Sequence, residues 1–319
     1  MLRDVLAAES PDIVAASTLI AQARADVIVL QGMDYDLGMV ALGAFRDRVS
    51  KSGMTYPHMF SARPNSGLPL GLDVDGDGRP DGPRDTQGYG RFGGAGGMAV
   101  LSRWPITLDV DLTEFLWRDL PDGLIATDDP AHDIQRLSSV AHWVLDVAPE
   151  GQRPMKLMTF HATPPVFDGP EDRNGRRNHD EAALWLRLLD GSLEVPPPQS
   201  RFVVLGDFNM DPADGDGRSA ALLSLLAHPE LQDVAPQSQH ARDAALTDGG
   251  TNTTHRGDPA HDTANWRDDP GPGNLRVDYV LPSNDWDVTG SGVLWSEAVD
   301  GDFDDQPVLR HGLVWVDLR

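Results

Sequence analysis

Cysteine is absent from the chain. That absence excludes disulfides, a thiolate nucleophile and cysteine-ligated metal sites, and it fits an oxidising compartment. No apolar run approaches the ~18 residues that a membrane helix requires, so no membrane span is expected. The opening MLRDVLAAESPD lacks a basic start, an apolar segment and a small-residue cleavage site, and no secretory signal is read in it. No GxGxxG follows a strand and no GxSxG elbow occurs, which removes dinucleotide-binding and serine-hydrolase readings. Basic residues are scarce: 26 against 50 acidic ones, for a formal charge of −24. Such a surface repels a polyanion, so stable nonspecific binding to DNA is not expected, and most of the acidity serves solubility. A cation held in one cleft would invert the field locally.

What is present is ample for a core. The 319 residues are 40% hydrophobic, and no repeat or composition break marks a second domain. Ser10-Pro11-Asp12 reads as an N-cap with proline at the first helical position, followed by Ile13, Ala16, Leu19, Ile20 and Ala23 at helical spacing. A second helix is expected from a variant capping box at Asn178–Glu181, through Leu184, Trp185, Leu188 and Leu189, to a stop at Gly191. A third covers 218–228. Short apolar runs predict strands at 26–31, 98–102, 139–147, 155–161, 201–206, 276–282 and 312–318. Helices falling between strands indicate an α/β or α+β sandwich, with long Gly/Pro/Asp-rich loops at 61–97 and 247–275.

Chemistry concentrates where strands end. In Leu205-Gly206-Asp207-Phe208-Asn209-Met210-Asp211-Pro212 a buried strand runs into a glycine turn that presents a carboxylate and a carboxamide two residues apart. Such a pair suits activation of a water and binding of a phosphoryl oxygen, although an Asx-rich turn is the plainer reading of this stretch alone. His161 ends an earlier strand, Asp278 lies on a later one and His311 opens the last. Asp278 is placed to fix the tautomer of His311, as carboxylates do for catalytic histidines.

The ordered segments FHATPP (160–165), LGDFNMDP (205–212), LRVDYVLPS (275–283) and RHGLVWVDL (310–318) resemble the endonuclease/exonuclease/phosphatase superfamily. ADVIVLQ (25–31), GMAVLSRWP (97–105) and QRLSSVAHW (135–143) resemble its further strands, so the likeness spans nearly the whole chain. It implies a DNase I-like four-layered α/β sandwich, two mixed β-sheets flanked by helices, formed by 1–319 as one domain and expected to be a monomer. The implied chemistry is in-line phosphoester hydrolysis assisted by Mg²⁺ or Mn²⁺, on a phosphorylated small molecule or nucleic acid. By position, Asp207 would orient or deprotonate the attacking water, and Asn209 and His161 would hold phosphate oxygens. His311, braced by Asp278, would stabilise the phosphoryl charge or carry a proton.

Three positions depart from the family pattern. Its first strand, ending in a Phe-Asn pair, has no counterpart; the chain opens at the following helix, which points to a start inside a longer protein. Loss of that central strand is expected to expose two strand edges. The family's metal-binding Glu falls on Gly32, and the Asp before the last His falls on Arg310. Asp34 or Asp36 could reach the position that Gly32 leaves open, and Arg310 could supply positive charge to a phosphate. The alternative is a catalytically impaired relative that serves as a binding or structural module.

Asp73-Val74-Asp75-Gly76-Asp77-Gly78-Arg79-Pro80-Asp81, within the 61–97 insertion, matches a calcium-loop pattern. Asp73, Asp75, Asp77 and Asp81 fall at ligand positions, and Arg79 would offer its carbonyl. A solvated acidic loop is the alternative; structural Ca²⁺ at millimolar concentration would suit an exported or periplasmic protein. After His161, Arg173, Arg176 and Arg177 form the densest basic cluster, a candidate contact for the rest of a phosphorylated substrate or simply helix-flanking charge.

Overall fold

The computed structural model describes residues 1–7, 10–297, 299–300 and 306–319. In chain order it runs α1 (Leu2–Ala7), α2 (Pro11–Ala23), β1 (Val27–Gln31), α3 (Val40–Lys51), β2 (His58–Phe60), β3 (Met98–Ser102), β4 (Ile106–Asp111), β5 (His142–Val147), β6 (Met155–His161), α4 (Arg173–Leu189), β7 (Phe202–Asp207), α5 (Ala220–Leu226) and α6 (Gln239–Asp248). It continues with β8 (Ala264–Asn265), β9 (Asn274–Leu275), β10 (Asp278–Pro282), β11 (Val288–Leu294), β12 (Val299–Asp300), β13 (Gln306–Pro307) and β14 (Leu313–Leu318).

Alternation along the strands assigns each face to a layer. In β3, Ala99 and Leu101 join Phe45, Val49 and Ile20 under α2 and α3, whereas Met98 and Val100 join Trp143, Leu145 and Leu157 between two sheets. In β6, Leu157 points into that inter-sheet core while Met158 and Phe160 pack with Trp185, Leu184 and Leu188 of α4. Helices, sheet, sheet and helices therefore stack as four layers, as the resemblance implies.

One sheet is mixed, in the order β10-β7-β6-β5-β4, with β6 and β7 parallel and the other pairs antiparallel. The other layer differs from the expected single mixed sheet. It consists of antiparallel β1-β3-β2 and a separate antiparallel pair, β11-β14. β1 packs across β7 and β14 across β10, yet β1 and β14 form no ladder with each other among the described residues.

Two local expectations change. Ser10 occupies the N-cap position of α2, but its side chain caps nothing and its hydroxyl bonds the Asp12 carboxylate. Asn178 and Glu181 form no capping box: α4 begins at Arg173, so both are interior and buried. The predicted stop holds, with Gly191 at φ +70. The 61–97 insertion carries only isolated bridges between Ser66 and Gly88 and between Pro69 and Thr86 beyond the short strand β2's edge. No helix among the described residues is long and apolar enough to cross a membrane.

Candidate active site

The mixed sheet sets three polar residues in one row. β6 and β7 pair in parallel with His161 opposite Asp207, and β7 and β10 pair antiparallel with Asp207 opposite Asp278. The glycine expected to make the turn lies inside β7 instead, paired with Phe160 and Tyr279, and close approach requires it: Gly206 has φ +152, and a Cβ there would lie 2.0 Å from the Phe160 carbonyl oxygen. Asn209 follows in the left-handed region at φ +48, which Asn tolerates better than most residues.

Asp207 is almost fully buried. Its Oδ1 accepts from the Asn209 backbone N–H at 2.8 Å, and its Oδ2 accepts from Asn209 Nδ2 at 3.3 Å. His161 Nε2 lies 3.6 Å from the same Oδ2. Burial, then the charge of Asp278, push the Asp207 carboxyl above its ordinary pKa; the nearby histidines pull the other way. Asn209 Nδ2 also donates to the Ala162 carbonyl at 2.8 Å, so its amide braces the two strand-end turns. Holding a phosphate oxygen would require it to release the longer bond to Asp207.

His311, at the entry to β14, comes from the other layer. Its Nδ1 donates to Asp278 Oδ2 at 2.9 Å, the pairing expected from the sequence. Partial burial lowers the imidazole pKa, but the charge and hydrogen bond of Asp278 outweigh it and raise the group to about 9. Thr263 Oγ1 donates to the same Asp278 oxygen at 2.8 Å and accepts from the Val277 and Asp278 N–H groups. The Trp266 ring stands edge-on to His311, with centroids 5.4 Å apart. Gln31 at the end of β1 accepts from His161 Nδ1 at 3.1 Å and donates to the Phe160 carbonyl at 3.3 Å. That contact leaves Nε2 as the His161 nitrogen available to a ligand. Thr263 and Trp266 carry no local sequence signal, because only the return of β14 brings them to His311. Gln31 was visible as a polar strand end, but nothing in the sequence paired it with His161.

Asp207, Asp278 and His311 each offer a ligand atom, all within 4.8 Å of one another. Two adjacent carboxylates, one buried, hold a surplus of negative charge that a divalent cation would neutralise, so this donor set fits such an ion if water and substrate complete its shell. Gly32 has open space where a Cβ would stand. Asp34 and Asp36, expected to stand in at the position Gly32 leaves open, are engaged with backbone amides. Asp36 caps α3 with both oxygens, accepting from Val40 and Ala41 N–H groups at 2.8 and 2.9 Å. Asp34 accepts from Gly96 N–H at 2.9 Å and lies 3.8 Å from the N-terminal amine.

The basic cluster also differs from its expected use. Arg173 pairs with Asp129 at 2.7 Å, donates to Gln135 Oε1 at 2.7 Å and lies over the Trp117 ring. Arg177 is buried and donates to the carbonyls of Leu137 and Arg136 at 2.8 and 2.9 Å, clamping that loop onto α4. Arg176 remains half-exposed, with Nε 3.3 Å from the Asp172 carbonyl, and Arg310 is exposed beside His311.

In the insertion, Asp73, Asp75 and Asp77 converge as their spacing predicts, but Asp85 rather than Asp81 completes the group within 4.8 Å. Asp85 is drawn in because its carboxylate accepts from the Val74 and Gly82 N–H groups at 2.7 and 2.9 Å. Asp73 accepts from Gly76 and Gly78, and Asp77 Oδ1 accepts from the Arg79 N–H at 2.8 Å, so the loop already curls around its carboxylates.

This architecture, with an Asp–His pair and a Gly-Asp-Phe-Asn turn at one end of facing sheets, defines a class. The chain belongs to the Endonuclease/Exonuclease/phosphatase family, whose model matches residues 3–311. No curated protein matches it. Among solved structures it is similar to an endonuclease/exonuclease/phosphatase from Beutenbergia cavernae DSM 12333, at 18% identity and TM-score 0.56. That likeness covers 97% of this chain but 66% of the other, so this chain spans just under two thirds of that structure. An endonuclease/exonuclease/phosphatase family protein from Bacteroides thetaiotaomicron aligns at 12% identity and TM-score 0.51, over 98% of this chain and 89% of its own. A beta toxin from Staphylococcus aureus aligns at 14% identity and TM-score 0.50, over 99% and 95%. At these identities the structures testify to the shared fold.

Proposed function

We propose that the chain is a divalent-metal-assisted phosphoester hydrolase. The observation that carries this reading is the in-register row His161–Asp207–Asp278, with His311 donating to Asp278 at 2.9 Å. Asp207 and Asp278 would hold Mg²⁺ or Mn²⁺, which when bound supplies Lewis-acid charge to a phosphoryl oxygen. Asp207, its Oδ1 fixed by the Asn209 N–H, orients the attacking water and accepts its proton. As an imidazolium, with Nδ1–H donated to Gln31, His161 donates its Nε2–H to a second phosphoryl oxygen. His311 is an imidazolium near neutral pH, and it gives its Nε2 proton to the leaving oxygen as the P–O bond breaks. Asp278 and Thr263 keep it in register. Arg310, exposed at the same strand end, adds charge for the rest of the substrate, a phosphorylated small molecule or nucleic acid. Residues 1–319 act as one domain and as a monomer in this reading.

We propose further that Asp73, Asp75, Asp77 and Asp85 bind Ca²⁺ and fix the 61–97 insertion, a device suited to an exported protein in millimolar calcium. A second reading, a catalytically impaired relative, is favoured by one observation: Gly32 leaves open space and both Asp36 oxygens cap a helix.

Hydrolysis of an activated phosphodiester and phosphomonoester, with EDTA, Mg²⁺, Mn²⁺ and Ca²⁺ in turn, separates the two. Ion-dependent turnover that disappears in Asp207→Ala and His311→Ala supports the enzyme. No turnover from folded protein overturns it in favour of the impaired relative.

A further inference from the structure

Neither the turn after His161 nor the turn after Asp207 is held by its own strand alone. Thr163, two residues after His161, has both backbone groups captured by side chains one turn apart on α4. Its N–H donates to Glu181 Oε2 at 2.6 Å, and its carbonyl accepts from Asn178 Nδ2 at 2.7 Å. The same Asn178 nitrogen donates to the Phe208 carbonyl at 2.8 Å, between Asp207 and Asn209. Glu181 Oε1 in turn accepts from the Ser139 N–H at 2.6 Å, and Ser139 Oγ donates to the His161 carbonyl at 3.2 Å. Asn178 and Glu181 are 2% and 0% exposed. A buried amide with both hydrogens committed to two different turns has little room to shift, because either movement leaves a carbonyl unsatisfied in a dry environment.

We propose that Asn178, supported by Glu181, is a positioning residue that sets the separation between His161 and the Asp207–Asn209 turn. The pair of α4 side chains acts as a two-point brace from behind the sheet. The backbone ladder fixes the row along the strands, but it ends at His161 and Asp207. Beyond that point the hydrogen bonds that join the two turns among the described residues are Asn209 Nδ2 to Ala162, Ala162 N–H to Asp207, and the Asn178 bridge. Catalytic geometry tolerates little slack, and misplacement of about 1 Å by a change away from the chemistry can lower a rate ~10²-fold.

In its kinetic consequence the inference rests on the hydrolase reading; in its structural consequence it does not. The test uses Asn178→Leu, which keeps the count and branching of side-chain heavy atoms and removes both donors, and the smaller Asn178→Ser should leucine prevent folding. Imidazole resonances of His161 are compared by NMR at one fixed pH, with His240, stacked on Trp295 elsewhere, as the internal control. The expected result is a displaced His161 resonance with that of His240 unmoved, and kcat lowered ~10²-fold with KM changed much less. A lowered melting temperature with His161 unmoved assigns Asn178 to stability alone and overturns the proposal. Absence of turnover in the wild-type chain refutes the hydrolase reading, and the His161 resonance then decides the positioning role by itself.

Discussion

Replacing Glu181 with glutamine isolates the cost of a charge buried behind the site. The carboxyl is fully buried, and burial pushes its pKa from 4.5 up to about 7 against the opposing pull of Arg177 and two backbone donors. An acid whose folded pKa exceeds its unfolded value binds its proton more tightly when folded. Its contribution to stability is therefore complete below about pH 4.5 and declines as pH rises through about 7. At ~1.4 kcal/mol per unit, the decline amounts to about 3 kcal/mol. Glutamine does not titrate, so the stability of Glu181→Gln relative to wild type should rise by about 3 kcal/mol between pH ~4.5 and pH ~8. Its absolute level includes a constant penalty of ~1–3 kcal/mol for turning an amide N–H toward a backbone N–H. His142, buried and held down to about 3, titrates in an overlapping window with the opposite sign: its contribution is lost as pH falls from 6.5. That residue is common to both proteins, so the difference curve reports Glu181. Urea denaturation at closely spaced pH values measures it. A difference that stays flat with pH, or falls as pH rises, would mean that Arg177 keeps the carboxylate ionised throughout and would refute the reasoning.

Asp278→Asn should bring the His311 midpoint down from about 9 by removing the charge that raises it, as NMR titration would register; a midpoint unmoved by the substitution would show another anion to be responsible. Ca²⁺ should protect the 61–97 insertion from proteolysis with a Kd of ~10⁻⁴–10⁻³ M, and Asp85→Asn should abolish the protection as completely as Asp73→Asn. Protection unaffected by Asp85→Asn would return the fourth ligand to another residue. Gly206→Ala should destabilise the fold by about 3 kcal/mol or more, because its Cβ meets the Phe160 oxygen at 2.0 Å. Denaturation midpoints that barely change would show that the β6–β7 pairing can relax. Trp185→Ala, at the centre of the core between the mixed sheet and α4, should cost about 3–5 kcal/mol in the same assay.

Much of the architecture was legible because its signals are local. The apolar run Met98–Ser102 is buried on both faces, as its apolar composition indicated, and Asp207 ends a strand, although Gly206 is a paired residue of that strand rather than its turn. The segment 40–51 could have been read as a helix from Ala41, Leu42, Phe45 and Val49, whose spacing matches its buried face. The Asn178–Glu181 pair shows the limit of such reading. The same two residue types at the same spacing serve a helix start when exposed and a cross-brace when buried, and only the packing of α4 distinguishes them.

The sequence by itself determined which residues stand at strand ends, because period-two burial and the end of an apolar run are properties of consecutive residues. It also determined that Asp73, Asp75 and Asp77 converge, since five residues of loop hold all three. Tertiary structure alone decided the partners: Gln31 for His161, Thr263 and Trp266 around His311, Asp85 in place of Asp81, and helix or loop amides for Asp34 and Asp36. A side chain's burial and charge environment depend on what other segments bring within a few ångströms. Those contacts are fixed when the layers pack, long-range in sequence and short-range in space.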